Sequence, residues 1–223
     1  TLVLFDDITD RYFANTEGAR IHGTVSRISL LFILTASEPG KGTIQRIGNK
    51  GESGGWERLE DWDPSTFVSE EAATLGRILR EGKQAPREEL DLLLGPEVTG
   101  IICHESCGHP QEADRILGRE AAQAGESYVK ADMIGYRVGT EAVTIVDDPT
   151  RPNAYGFYLY EEEGVRARRR TLIKKGTINE FLHNRETGAQ LGVNSNGAAR
   201  AVSYDREPII RMANTFMLPG EHT

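Results

Sequence analysis

A chain that carries His104-Glu105-Ser106-Cys107-Gly108-His109 must bring two imidazoles together across a spacing that a regular α-helix does not serve. At about 100° per residue, positions i and i+4 share a helix face, whereas i+5 lies roughly 140° away. The rings converge only if the helix overwinds, makes a π-type turn, or ends between them. The sequence supplies the means for an ending. Gly108 accepts almost any dihedral, and Pro110 lacks an N–H and disfavours αR geometry at His109. The expected arrangement therefore puts His104 and Glu105 on the last turns of a helix and His109 at its exit.

Two neutral imidazoles beside a free carboxylate form the ligand and base set of a hydrolytic zinc site, with His104 and His109 on Zn2+ and Glu105 as general base. Glu112 and Asp114 follow closely, either as carboxylates that orient a ligand histidine or as part of a solvated turn. His22, His183 and His222 are isolated and read as surface or internally satisfied histidines. Cys103 and Cys107 lie four apart, and helix geometry at that spacing argues against a disulfide; a reducing, cytoplasmic setting suits them. Cys107 could be a ligand in principle, but it points away from the His104 ring, so packing is its expected role.

The surrounding elements follow from periodicity. Gly95-Pro96 starts the motif helix, with Glu97 in its first turn, and Leu90 to Leu94 reads as a buried strand before it. Arg20 to Ala36 alternates and then turns apolar throughout at 30–34, as in a long strand of a mostly buried sheet. Gly48 to Gly55, with four glycines, reads as a loop. Apolar residues recur at helical spacing from Ser65 to Glu81, with Gly82 closing a helix that lids the sheet.

Beyond the motif, strands are expected at Ala142–Val146, at Phe157–Tyr160, in a hairpin around Lys175-Gly176, and over Pro208–Leu218. Asn184 to Gly192 reads as a capped short helix with a glycine stop. The cluster Arg166, Arg168, Arg169 and Arg170 is expected to be a solvated strand neutralised by Glu161 to Glu163. Together these give an α+β fold: a mixed sheet with packed helices carrying the motif in residues 1–141, then the start of a β-rich domain in residues 142–223.

Charge narrows the function classes. A net charge of −8 disfavours nonspecific binding to nucleic acid or anionic lipid. No apolar run approaches the roughly 18 residues needed to span a bilayer.

Beside the motif, Glu112 and Asp114 are followed by Val146-Asp147-Asp148, Glu162-Glu163-Gly164, Leu172-Ile173-Lys174-Lys175-Gly176, Asn196-Gly197-Ala198-Ala199-Arg200-Ala201 and Arg211-Met212-Ala213-Asn214-Thr215. That order resembles the TldD/PmbA family of archaea and bacteria, and Asn15-Thr16-Glu17-Gly18 resembles an upstream strand end of the same family. The resemblance implies a cytoplasmic zinc metallopeptidase acting on small or unfolded peptides as a dimer, either a homodimer or a heterodimer with a PmbA/TldE-like paralogue. Because the zinc motif is kept, the chain looks like the catalytic, TldD-like member. Arg200 and Arg211 match positions the family keeps; each is expected either to grip a peptide carboxylate or oxyanion or to form a buried ion pair. The family's third zinc ligand is a cysteine that would lie beyond Thr223, so the chain reads as part of a longer protein, and these residues alone are expected to be metal-poor and inactive. The competing expectation is a noncatalytic regulatory subunit, in line with the family's label as a modulator of DNA gyrase.

Overall fold

The computed structural model describes residues 1–119 and 127–220, so His222 lies outside the described residues. The fold is α+β, and the chain divides into two compact units: Thr1–Asp10 with Thr24–Leu92, and Arg11–Gly23 with Leu93–Thr223. The expected boundary near residue 141 falls inside the second unit. Among the described residues, no helix is long and apolar enough to cross a membrane.

The first unit is built on a sheet of β1 (Leu2–Ala14), β2 (Arg20–Glu38) and β3 (Gly42–Ser53), in that order. Period-two alternation in β2 buries Ile28, Leu30 and Phe32 on one face. Ile28 and Leu30 join Trp62 of α1 (Glu57–Trp62) in a small core. The second helix, α2 (Pro64–Glu81), begins with proline at its first turn, is capped by the Asp63 carboxylate accepting from the Thr66 amide at 3.3 Å, and ends at Gly82. It lies on the sheet as expected: Phe67 meets Phe32 edge-on at 5.4 Å, and Glu71 pairs with Arg46 at 2.6 Å.

The glycine-rich stretch from Gly48 is strand rather than loop, paired antiparallel with β2 as far as Arg27↔Ser53. Gly48 sits opposite Phe32, and a Cβ there would come within 2.2 Å of the ring. The missing side chain makes room for an aromatic across the ladder and does not break the strand. Leu90 to Leu94 is a second correction. The segment forms no strand and exposes its side chains, Leu93 completely.

The second unit contains a four-stranded antiparallel sheet, within the stretch expected to be β-rich. Its order is β6-β5-β4-β9, formed by β4 (Ile145–Asp147), β5 (Arg170–Lys174), β6 (Thr177–Ile178) and β9 (Thr215–Met217). The β5–β6 hairpin turns at Lys175-Gly176, where both residues have positive φ. A two-stranded ribbon pairs β7 (Ala199–Arg200) with β8 (Ile209–Ile210). Pro208–Leu218 is therefore two short strands with an irregular link. Phe157–Tyr160 is not a strand; only an isolated bridge joins Tyr160 to Arg166.

The arginine cluster also departs from expectation. Arg170 is fully buried against Asp147, Arg169 pairs with Asp148 and Arg168 with Glu180, while Glu161 bonds the backbone amides of Glu163 and Val165. Alternation along β5 sends Arg170 inward, so charge count alone misjudged its surroundings.

The short helix α5 (Arg185–Gln190) has a reciprocal cap. The Asn184 side chain accepts from the Thr187 amide at 2.8 Å, and the Thr187 hydroxyl accepts from the Asn184 amide at 3.3 Å. Replacing Asn184 with alanine is expected to lower stability by about 1 kcal/mol, read as a shift in the urea midpoint.

Candidate metal centre

Gly95 precedes the motif helix, and its carbonyl accepts from both the amide and the hydroxyl of Thr99 at 3.0 Å. Helix α3 (Pro96–Ile102) then widens into a π-type turn over Cys103–Gly108, which the His109 amide closes by donating to the His104 carbonyl. An i→i+5 turn returns position 109 to nearly the face of position 104. Of the three routes to convergence, the chain takes the π turn rather than a helix end. His109 keeps helical dihedrals, φ −56° and ψ −44°, and Pro110 continues into a single 3₁₀ turn over His109–Gln111.

Gly108 has helical dihedrals too, φ −68° and ψ −60°, so conformational freedom is not its role. A Cβ there would lie 1.8 Å from the Met212 sulfur. Glycine lets the buried Met212 side chain seat against the turn.

The two histidine rings meet edge-on, with centroids 4.7 Å apart. One ligand atom from each of His104, Glu105 and His109 lies within 4.8 Å of the others, the one such group among the described residues. His104 and Glu105 are exposed and His109 is half-buried, so the group opens to solvent. Two imidazoles and a carboxylate this close suit Zn2+, which prefers nitrogen donors and accepts oxygen.

Glu112 is fully buried, and its Oε2 lies 3.0 Å from His109 Nδ1 and also accepts from Arg115. This contact orients the ring and leaves Nε2 available as a donor atom. Asp114, also buried, lies on the short helix α4 (Ala113–Ile116), accepts from the Ile210 amide at 3.1 Å and ties β8 to the motif region. Arg211 donates to the Ile210 carbonyl at 2.7 Å and stands 3.9 Å from Glu112 Oε2. Arg200 donates to the Met212 carbonyl at 2.8 Å and lies over the Tyr158 ring. Sequence reasoning missed Arg115, Met212 and the Ser127-Tyr128 pair that bonds the motif turn. A signal for the last was present, since Pro110 cannot donate to a carbonyl one turn earlier.

The cysteines pack. Cys103 is buried with Ile145 and Ile173, and Cys107 lies against that cluster. Burial first, and the neighbouring Cys103 second, push the Cys107 thiol up to about 11. At pH 8 it is expected to alkylate with iodoacetamide roughly a hundredfold more slowly than an unstructured cysteine, followed by mass spectrometry. His183 is buried, with its ring nitrogen 3.2 Å from the Thr187 hydroxyl, and burial holds it below the usual imidazole range. It is a neutral core histidine.

The comparisons with known proteins point to one family. A PmbA/TldA metallopeptidase central-domain model matches residues 1–80, and the corresponding C-terminal-domain model matches residues 87–223. A metalloprotease of Methanocaldococcus jannaschii is 33% identical over 213 residues, 95% of this chain and 44% of that protein. A zinc metalloprotease TldD homolog of Saccharolobus solfataricus is 36% identical over 148 residues, 65% of this chain and 31% of that protein. The crystal structure of TldE from Thermococcus kodakarensis shares the fold, with a TM-score of 0.68 at 13% identity over 98% of this chain and 46% of that one. The chain thus spans less than half the length of these relatives. With both models matched in order and these relatives along its length, the chain belongs to the PmbA/TldD metallopeptidase family.

Proposed function

We propose that these residues carry the metal-binding and proton-transfer groups of a zinc peptidase that hydrolyses small or unfolded peptides. The observation that carries this reading is the convergence of His104 and His109 with the Glu105 carboxylate beside them. His104 and His109 would hold the metal, and a cysteine outside these 223 residues would complete the protein ligands. Zinc, when bound, polarises a carbonyl as a Lewis acid and lowers the pKa of water to about 7. Glu105 takes a proton from the attacking water and returns it to the departing amine. Glu112 holds His109 in one tautomer and orientation throughout. Arg200 on β7 and Arg211, which follows β8 and stands 3.9 Å from Glu112, are proposed to receive a peptide carboxylate or the developing oxyanion.

The unit that works is proposed to be a cytoplasmic dimer, with a second copy or a PmbA/TldE-like paralogue. The test uses the intact protein with and without chelator. About one zinc per protomer, with cleavage of an unstructured peptide lost on chelation and restored by zinc, supports the reading. A zinc-free intact protein without cleavage would instead favour a regulatory subunit.

A further inference from the structure

Pro110 has no amide hydrogen, so the Ser106 carbonyl has no α-helical donor four residues ahead. Tyr128 donates its hydroxyl to that oxygen at 2.9 Å. Its neighbour Ser127, buried, donates to the Pro110 carbonyl at 2.6 Å. The Ser127 hydroxyl also accepts from the Val129 amide at 2.9 Å, and Val129 is fully buried in the core that holds Ala113, Leu172 and Met212. One short stretch anchored in the core therefore grips the motif backbone on both sides of Gly108-His109.

From this juxtaposition we propose that Ser127–Val129 is a strap that holds the wide turn open, with Tyr128 as a positioning residue for His109; its link to zinc rests on the peptidase reading above. A π-type turn is unusual, and it persists where outside contacts stabilise it against the α-helical register. In that register His109 would swing roughly 140° from His104. The strap supplies the outside contacts through a hydroxyl that reaches backbone, so the side chains of His104 and Glu105 stay free for ligand and base roles.

The test compares the intact protein with its Tyr128→Phe variant, which keeps the ring and removes only the donor. In metal-free protein, the His109 amide is expected to exchange hydrogen for deuterium at least several-fold faster in the variant. Zinc affinity, measured by competition with a chelator, is expected to fall about tenfold, the lower end of the loss seen when an outer partner of a ligand is removed. Equal His109 exchange in the two proteins overturns the strap, as does a zinc dissociation constant within twofold of wild type. Should wild-type protein bind no zinc at all, the peptidase reading fails, while the exchange comparison still decides the strap in either direction.

Discussion

Replacing Glu105 with glutamine in the intact protein is expected to lower kcat/KM for peptide cleavage by about 10²- to 10⁴-fold while the zinc content stays at the wild-type level. Glutamine keeps the size and one carbonyl oxygen of the side chain but cannot accept a proton from water at neutral pH. The two readouts separate roles that lie close together in space, because a donor atom of Glu105 stands within 4.8 Å of those of His104 and His109. A ligand role would take the metal away along with the activity. A base role removes the activity alone. His104→Ala is the matching control, expected to lose metal and cleavage together. Cleavage by Glu105→Gln within tenfold of wild type would exclude it as the base, and loss of zinc from that variant would reassign it as a ligand.

That the residues of the candidate site stand out in sequence, while the way their rings meet does not, follows from where the information lies. His104, Glu105 and His109 are contiguous, so residue type and spacing alone mark them. How the rings meet depends on Met212 against Gly108 and on bonds from residues 127 and 128, distant in sequence and set by tertiary packing. Local rules therefore suggested a helix end where packing selects a wide turn. The same limit explains Arg170: its cluster reads as solvated by charge, yet the alternation of β5 and a carboxylate 23 positions earlier bury it. Elements whose determinants are local came through well, namely α2 with its Asp63 cap, α5 with its Asn184 cap and the hairpin at Lys175-Gly176. The glycines at 48–55 and the leucines at 90–94 misled for one reason. Whether such a segment forms a strand depends on a partner backbone that the segment itself does not contain.

The second large effect is expected at that buried ion pair. Asp147 and Arg170 are both fully buried. Asp147 Oδ2 accepts from the guanidinium, and Oδ1 accepts from the Ala213 amide at 2.8 Å and the Thr215 hydroxyl at 3.0 Å. Asp147→Ala strands an arginine that cannot shed its proton, and it also orphans two donors on the segment that carries Met212 to Gly108. A loss of about 3–5 kcal/mol in unfolding free energy is expected from denaturant titration of the intact protein. Arg170→Met should cost less, because the carboxylate left behind keeps its bonds from the Ala213 amide and the Thr215 hydroxyl. The asymmetry is the point of the comparison: equal costs for the two variants, or a cost below 1 kcal/mol for Asp147→Ala, would mean that the pair is not the tie between β4 and the segment that seats Met212. If the asymmetry holds, Asp147→Ala should also weaken zinc binding under conditions where the variant is still folded, because Ala213 adjoins the residue packed on the motif turn.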